Sequence, residues 1–202
     1  MLKKVPIAVL CSGGGTNLQA ILDSAAAGAI PSGEVVLVVS DNASAYALER
    51  AAKAGVETAV FDRKAVPSRA EREEKILSVL QEKQIGLVIL AGFMTILSEK
   101  FTRAFENRII NVHPSLIPSF CGPGYYGLKV HEAALAYGVK VTGATVHYVN
   151  EVCDGGPIIL QKAVNVEEGD TPETLQKRVM REAEWKILPA AAELVCKKLL
   201  QG

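Results

Sequence analysis

Residues 5–11, Val-Pro-Ile-Ala-Val-Leu-Cys, form an apolar run that stops at Ser12-Gly13-Gly14-Gly15-Thr16-Asn17. Leu18, Ala20, Ile21, Leu22 and Ala25 then recur at helical spacing. Buried strand, glycine turn and helix are thus written in succession, and few folds accommodate that order. Glycines let a backbone approach an anion closely, and the free N–H groups of a helix start point toward it. Two familiar versions of the turn are excluded. No Gly-Lys-Ser/Thr follows, so it is not a P-loop, and Leu18 stands where the third glycine of G-x-G-x-x-G belongs. A bare turn needs fewer than three consecutive glycines, so the pattern favours an anion cradle.

The alternation continues. Glu34–Ser40 reads as a second strand, Ala43–Ala54 as a helix closed by Gly55, and Val56–Phe61 as a third strand. Asp41, just past the second strand, reads as a helix cap rather than a ribose-binding acid, because the dinucleotide fingerprint is broken. Ser68-Arg69-Ala70-Glu71 has capping-box form and opens a helix to about Lys83. Ile85–Ala91 is the most hydrophobic run and reads as a central strand; Ser98 and Glu99 start a short helix. Arg108–Val112 is the next strand, and a helix over Val130–Tyr137 ends at Gly138. Strands alternating with helices at this interval predict parallel pairing in a doubly wound α/β sheet. The pattern then changes. Val141–Asn150 and Ile158–Val166, joined by the acidic turn Glu151–Pro157, predict an antiparallel hairpin. Thr171 as N-cap and Pro172 at N1 open a long final helix toward Leu200, with a kink expected near Pro189.

At 202 residues the chain predicts a single domain over 1–202. Lys plus Arg and Asp plus Glu number 22 each, so no global field exists to hold a nucleic acid or an anionic membrane. No apolar run reaches the length of a membrane-spanning helix, and Met1-Leu2-Lys3-Lys4 leads straight into a strand without a signal-peptide core. Four cysteines without paired spacing fit a reduced, cytoplasmic setting. Three histidines far apart in sequence argue against a metal site.

The candidate chemistry centres on Ile109-Ile110-Asn111-Val112-His113-Pro114. Positions two apart in a strand share a face, so Asn111 and His113 should project together at the strand's end, where open α/β sheets bind ligands. A polar strand end that bonds a loop would look the same on these residues alone. Gly92–Leu97 leaves the central strand carrying Met94, Ile96 and Leu97, which could line an apolar slot for a flat ring or pack as core under a loop. Ser119–Leu128 is a glycine- and proline-rich loop beside this end. Asp154 falls at the hairpin tip. Arg69 sits in a first helical turn, where a cation opposes the helix dipole; holding an acidic ligand would explain it. Cys11 reads as core rather than nucleophile.

Taken together, four segments resemble glycinamide ribonucleotide formyltransferases: Ser12–Gln19 (SGGGTNLQ), Leu90–Leu97 (LAGFMTIL), Asn111–Pro118 (NVHPSLIP) and Asp154–Gln161 (DGGPIILQ). The resemblance covers essentially the whole chain. It implies a Rossmann-like formyltransferase fold with a nucleotide-binding N-terminal half, and a C-terminal half for folate binding and catalysis. It implies 10-formyltetrahydrofolate as formyl donor, glycinamide ribonucleotide as acceptor, no metal, and a monomer or homodimer. Asn111, His113 and Asp154 match the family's catalytic trio. Gly15, Thr16 and Asn17 match its phosphate turn. Arg69 and Met94, Thr95, Ile96 and Leu97, with Asn111, match its folate side. Glu184, aligned with a one-residue gap, matches the acid at the ribose hydroxyls.

The implied reaction suits these residue types. An amine attacks a formyl carbon, an oxyanion forms, and the folate nitrogen leaves with a proton. Asn111 can donate to the oxyanion. His113, with an ordinary pKa of about 6.5, can stabilise that charge and deliver the proton, and the Asp154 carboxylate would favour its charged form. Three features depart from the family: Thr95 stands where many members carry Arg, the Cys121–Tyr126 loop is longer than in shorter members, and Lys129 replaces a histidine. Formyltetrahydrofolate hydrolases share the trio but carry an N-terminal regulatory domain, for which a strand starting at residue 5 leaves no room. Methionyl-tRNA formyltransferases would need a further C-terminal domain. A non-catalytic phosphate-binding module would not need the trio, and a nicotinamide oxidoreductase would need the broken fingerprint.

Overall fold

Seven strands form one sheet in the computed structural model, which describes residues 4–201; the reading of Met1–Lys3 lies outside these. The elements in chain order are β1 (Val5–Cys11), α1 (Thr16–Ala26), β2 (Gly33–Ser40), α2 (Tyr46–Lys53), β3 (Glu57–Val60), α3 (Arg69–Glu82), β4 (Leu87–Leu90), α4 (Glu99–Ala104) and β5 (Ile109–His113). There follow α5 (Leu128–Tyr137), β6 (Val141–Tyr148), β7 (Ile158–Asn165), α6 (Pro172–Val179), a π turn (Met180–Glu184) and α7 (Trp185–Gln201). The spatial order is β3-β2-β1-β4-β5-β6-β7. The first five strands pair in parallel; β6 and β7 join antiparallel, as the hairpin pattern predicts.

Period-two alternation divides the core. Val5, Ile7, Val9 and Cys11 of β1 face α1 and the final helices, while Ala8 and Leu10 face α3 and α4. β4 splits likewise, with Leu87 and Ile89 on the first side and Val88 and Leu90 on the second. After β1 the chain moves outward to β2 and β3, then returns to the other side of β1 as β4. Order reverses between β1 and β4, the switch point beyond whose strand ends open α/β sheets bind ligands.

Three expectations are corrected. α2 starts at Tyr46, not Ala43, because Asn42 Oδ1 takes the Ser44 N–H at 3.1 Å and Asp62 takes the Ala43 N–H at 2.7 Å. Asp41 caps no helix; it is buried, accepts from the Thr95 hydroxyl at 2.7 Å, and lies 3.6 Å from Arg63. The final segment is not one α-helix: a π turn at Met180–Glu184 divides it, and Pro189 lies inside the α-helix that follows. A π turn holds one more residue than an α turn. Pro189 crowds the carbonyl four residues before it, and that residue, Trp185, is the first after the π turn.

Candidate active site

The glycine turn is built by close approach. Gly15 is the residue before α1 and has φ 70°; a Cβ there would sit 2.7 Å from the Ala47 Cβ. Its geometry therefore admits only glycine. Arg50 steadies the turn from behind, donating through Nε to the Gly14 carbonyl at 2.8 Å. Asn17, in the first turn of α1, donates from Nδ2 to Glu184 Oε2 at 2.6 Å. Two residues 167 positions apart thus meet. Burial pushes the Glu184 carboxyl up to about 7, with Asn17 pulling the other way. Ser12 ties this turn to the loop after β4: its N–H donates to the Gly92 carbonyl at 3.1 Å, and its Oγ accepts from the Met94 N–H at 2.9 Å.

That second loop presents Met94 and Ile96 half-exposed, whereas Leu97 is buried in the core under α3 and α4. Thr95 is turned inward onto Asp41. Arg69 lies at the start of α3 with its Nε 2.9 Å from the buried Glu73, so a carboxylate already holds one edge of its guanidinium. Glu73 in turn takes the Ser98 N–H at 3.0 Å and its hydroxyl, which anchors the loop's far end.

The trio converges on one face of the sheet. Ile109, Asn111 and His113 alternate with the core residues Ile110 and Val112. On β6 the partners of Asn111 and His113 are His147 and Thr145, so four polar side chains share that face. β6 runs antiparallel to β5 and ends beside its start, with Tyr148 opposite Ile110. The turn 149–157 must therefore fold back across the face to reach His113. Gly156 permits this, since a Cβ there would lie 1.8 Å from the Tyr148 carbonyl oxygen. Asp154 then stands 3.4 Å from His113 Nδ1 and 3.6 Å from His147 Nε2. From the other side the 119–122 segment closes in. The Phe120 carbonyl accepts from His113 Nε2 at 2.8 Å, and the Gly122 N–H donates to Asp154 Oδ2 at 2.8 Å.

Hydrogen-bond chemistry fixes the ring protons. A carbonyl oxygen only accepts, so His113 Nε2 and His147 Nδ1, which faces the Tyr148 carbonyl at 2.8 Å, both carry hydrogen. His147 Nε2 then accepts from Asn111 Nδ2 at 3.2 Å and orients that amide, leaving its second N–H free to donate. Burial lowers the His113 pKa and outweighs the raising by Asp154 and Phe120. Asp154 favours the charged form, as expected, but burial has the larger effect. Burial raises Asp154, but His147, His113 and the Gly122 N–H together hold it below its ordinary value. The neutral ring presents a bare Nδ1 to Asp154, so the carboxylate bonds the ring only once a proton arrives there, and it then stabilises the imidazolium.

The family profile described as formyl transferase matches residues 5–192. The chain belongs to the formyl transferase family. It is 42% identical over 196 residues to a phosphoribosylglycinamide formyltransferase of Haemophilus influenzae, covering 97% of this chain and 87% of that one. It is 46% identical over 198 residues to a trifunctional purine biosynthetic protein adenosine-3 of Gallus gallus, covering 98% of this chain but 19% of the relative. The chain thus spans about a fifth of the length of such trifunctional relatives. A crystal structure of glycinamide ribonucleotide transformylase 1 from Symbiobacterium toebii superposes with a TM-score of 0.90 at 46% identity, over 98% of this chain and 90% of that one.

In this member of the family the residue that sequence reasoning missed is His147. The alternation of β6 placed it on the same face as Thr145, but only the register with β5 puts it against Asn111. Cys11 is core, as expected: burial, with the Asp41 charge, pushes its thiol up to about 12. Among the described residues, no group of three or more His, Cys, Asp and Glu is arranged to hold a metal ion. No described helix is long and apolar enough to cross a membrane.

Proposed function

We propose that this chain transfers the formyl group of 10-formyltetrahydrofolate to the amine of glycinamide ribonucleotide, giving formylglycinamide ribonucleotide and tetrahydrofolate in de novo purine biosynthesis. The observation that carries the reading is the meeting of Asn111, His113 and Asp154 on one sheet face, with Asn111 oriented by His147. The names of relatives matched over most of their length support the same substrates.

On this reading the whole chain acts as one domain. Gly15, Thr16 and Asn17 hold the nucleotide's phosphate through backbone N–H groups at the start of α1, and Glu184 accepts from its ribose hydroxyls. Met94 and Ile96 offer apolar surface to a flat ring, and the free edge of Arg69 suits an acidic tail; these residues fit the folate donor. When bound, that donor supplies an electrophilic formyl carbon. Asn111 donates its free N–H to the oxygen that becomes negative, a contribution of about 2.7–4 kcal/mol for a preorganised donor. His113, neutral at rest, takes at Nδ1 the proton that the amine loses, Asp154 stabilises the resulting imidazolium, and the ring returns the proton to the leaving nitrogen. Four free cysteines favour a reducing compartment such as the cytoplasm, although two plant relatives are named as chloroplastic.

The test is a spectrophotometric assay of folate release with and without glycinamide ribonucleotide. Release only with the nucleotide, together with a formylated product, is the expected result. Release without it, yielding formate, would make water the acceptor and the chain a hydrolase. No release from folded protein in either tube would reopen the roles of all three residues.

A further inference from the structure

Cys121 lies between the two backbone groups that hold the catalytic pair. Before it, the Phe120 carbonyl binds His113; after it, the Gly122 N–H binds Asp154 Oδ2. Cys153 immediately precedes Asp154, and its Sγ is 3.9 Å from that same oxygen. One carboxylate oxygen is therefore the shared neighbour of both cysteine segments. Both thiols are free and partly exposed, whereas Cys11 and Cys196 are free but fully buried. Formyl transfer uses neither of the exposed pair. Phe120 and Asp154 also hold left-handed backbones, with φ of 48° and 56°. Non-glycine residues keep that conformation through their surroundings, so both segments can be re-set by a new bond.

We propose that Cys121 and Cys153 form a modification site, a dithiol that a low-molecular-weight disulfide closes into an intramolecular disulfide, switching the site off. The loss of activity rests on the proposed formyl transfer; the crosslink itself does not. The Cys121 thiolate attacks one sulfur of the small disulfide, forming a mixed disulfide and releasing one small thiolate. The Cys153 thiolate then attacks the Cys121 sulfur, forming the protein disulfide and releasing the second. Two protein thiols are oxidised by two electrons, and the small disulfide is reduced to two thiols that take up the two protons. Closure needs Cβ atoms about 3.8 Å apart. That draws the peptides flanking Cys121 toward Cys153 and displaces the Asp154 oxygen that now adjoins both. Burial and the Asp154 charge push both thiols up, so closure is slow at neutral pH.

The experiment incubates the reduced full chain with glutathione disulfide and follows intact mass, peptide map and kcat. Expected are a loss of about 2 Da without a retained adduct, a single Cys121–Cys153 peptide pair, and a fall in kcat of roughly tenfold to a hundredfold, as for a misplacement of about 1 Å. A dithiol reductant should restore both mass and rate. Cys121→Ser should keep the reduced activity and resist inhibition, and Cys153→Ser should stop at a glutathione adduct. Absence of the 121–153 pair, or a crosslinked protein with unchanged turnover, would overturn the proposal. If the reduced chain transfers no formyl group, the proposed function fails while the mass and peptide readouts still decide the crosslink.

Discussion

Glu184→Gln separates the electrostatics of the proposed nucleotide side from its packing. The Glu184 side chain is buried against Asn17, and burial lifts its pKa from an ordinary 4.5 to about 7. Above pH 4.5 the unfolded chain gives up the proton while the folded chain keeps it until about pH 7. The folded state therefore loses stability across that window, and the loss is complete above it. At 1.36 kcal/mol for each tenfold change, the gap is worth about 3 kcal/mol. Glutamine removes the titration and still offers Asn17 an oxygen. Near pH 4.5 the two proteins should melt together; at pH 8.5 the variant should melt higher by roughly 6–12 °C, taking about 2–4 °C per kcal/mol for a chain of this size. Calorimetry at both pH values, at equal ionic strength, reads this directly. Each protein serves as the other's control for every other titrating group. An equal difference at both pH values would refute the claim that a buried charge at Glu184 destabilises the fold. The same variant should raise KM for the nucleotide about tenfold, since a charged acceptor is replaced by a neutral one.

The remaining expectations concern catalysis. His113→Ala and Asp154→Asn should each lower kcat by about 10²–10⁴ with little change in either KM, as steady-state kinetics would read; near-normal turnover would remove the proton-transfer role. Because burial lowers the His113 pKa and the neutral ring accepts the proton, kcat should fall with acidification below pH 6.5. In Asp154→Asn the charge favouring imidazolium is gone, so the residual activity should lose its acid limb at still lower pH; a shift upward would contradict this. His147→Ala frees the Asn111 amide to rotate, and should lower kcat roughly tenfold to a hundredfold with little change in KM, measured below the lowered melting temperature that loss of a buried side chain brings. A loss confined to KM would place His147 in binding instead.

How far the site could be read from sequence depended on the range of the interactions involved. Asn111 and His113 were legible because their relation is local: two residues apart in a strand means one face. Gly15 was legible because three glycines before a helix have a conformational meaning of their own. His147 was not, because its role follows from pairing with a residue 36 positions away, and alternation within β6 says which face but not which partner. Asp41 was misread because Ser-Asp-Asn before a helix has cap composition. Its neighbour Thr95 comes from the loop after β4, two strands over in the sheet. Leu97 shares its apolar character with Met94 and Ile96, and only the chain's path into α4 decides that it alone is core. The break before Glu184 was hidden because a π turn and an α-helix have the same composition.

Asp154 combines both kinds of information. Its acidic, glycine-containing turn marks a hairpin tip, yet β6 ends beside the start of β5, away from the site. The carboxylate arrives at His113 only because the turn reverses over the sheet face, and Asp154 itself adopts φ 56° to make that reversal. Asp and Asn tolerate this left-handed conformation better than other side-chain-bearing residues. The choice of substitution at this position therefore tests two properties at once. Asp154→Asn removes the charge and keeps the turn. Asp154→Ala removes the charge and strains the backbone, by about 1 kcal/mol relative to Asn, which should appear as a lower melting temperature by roughly 2–4 °C. Both should lose turnover, but only alanine should also move the loop that Gly122 anchors, and so weaken substrate binding. If the two variants melt alike and lose kcat alike, the left-handed turn does not depend on the side chain, and the Gly122–Asp154 hydrogen bond adds to neither stability nor turnover.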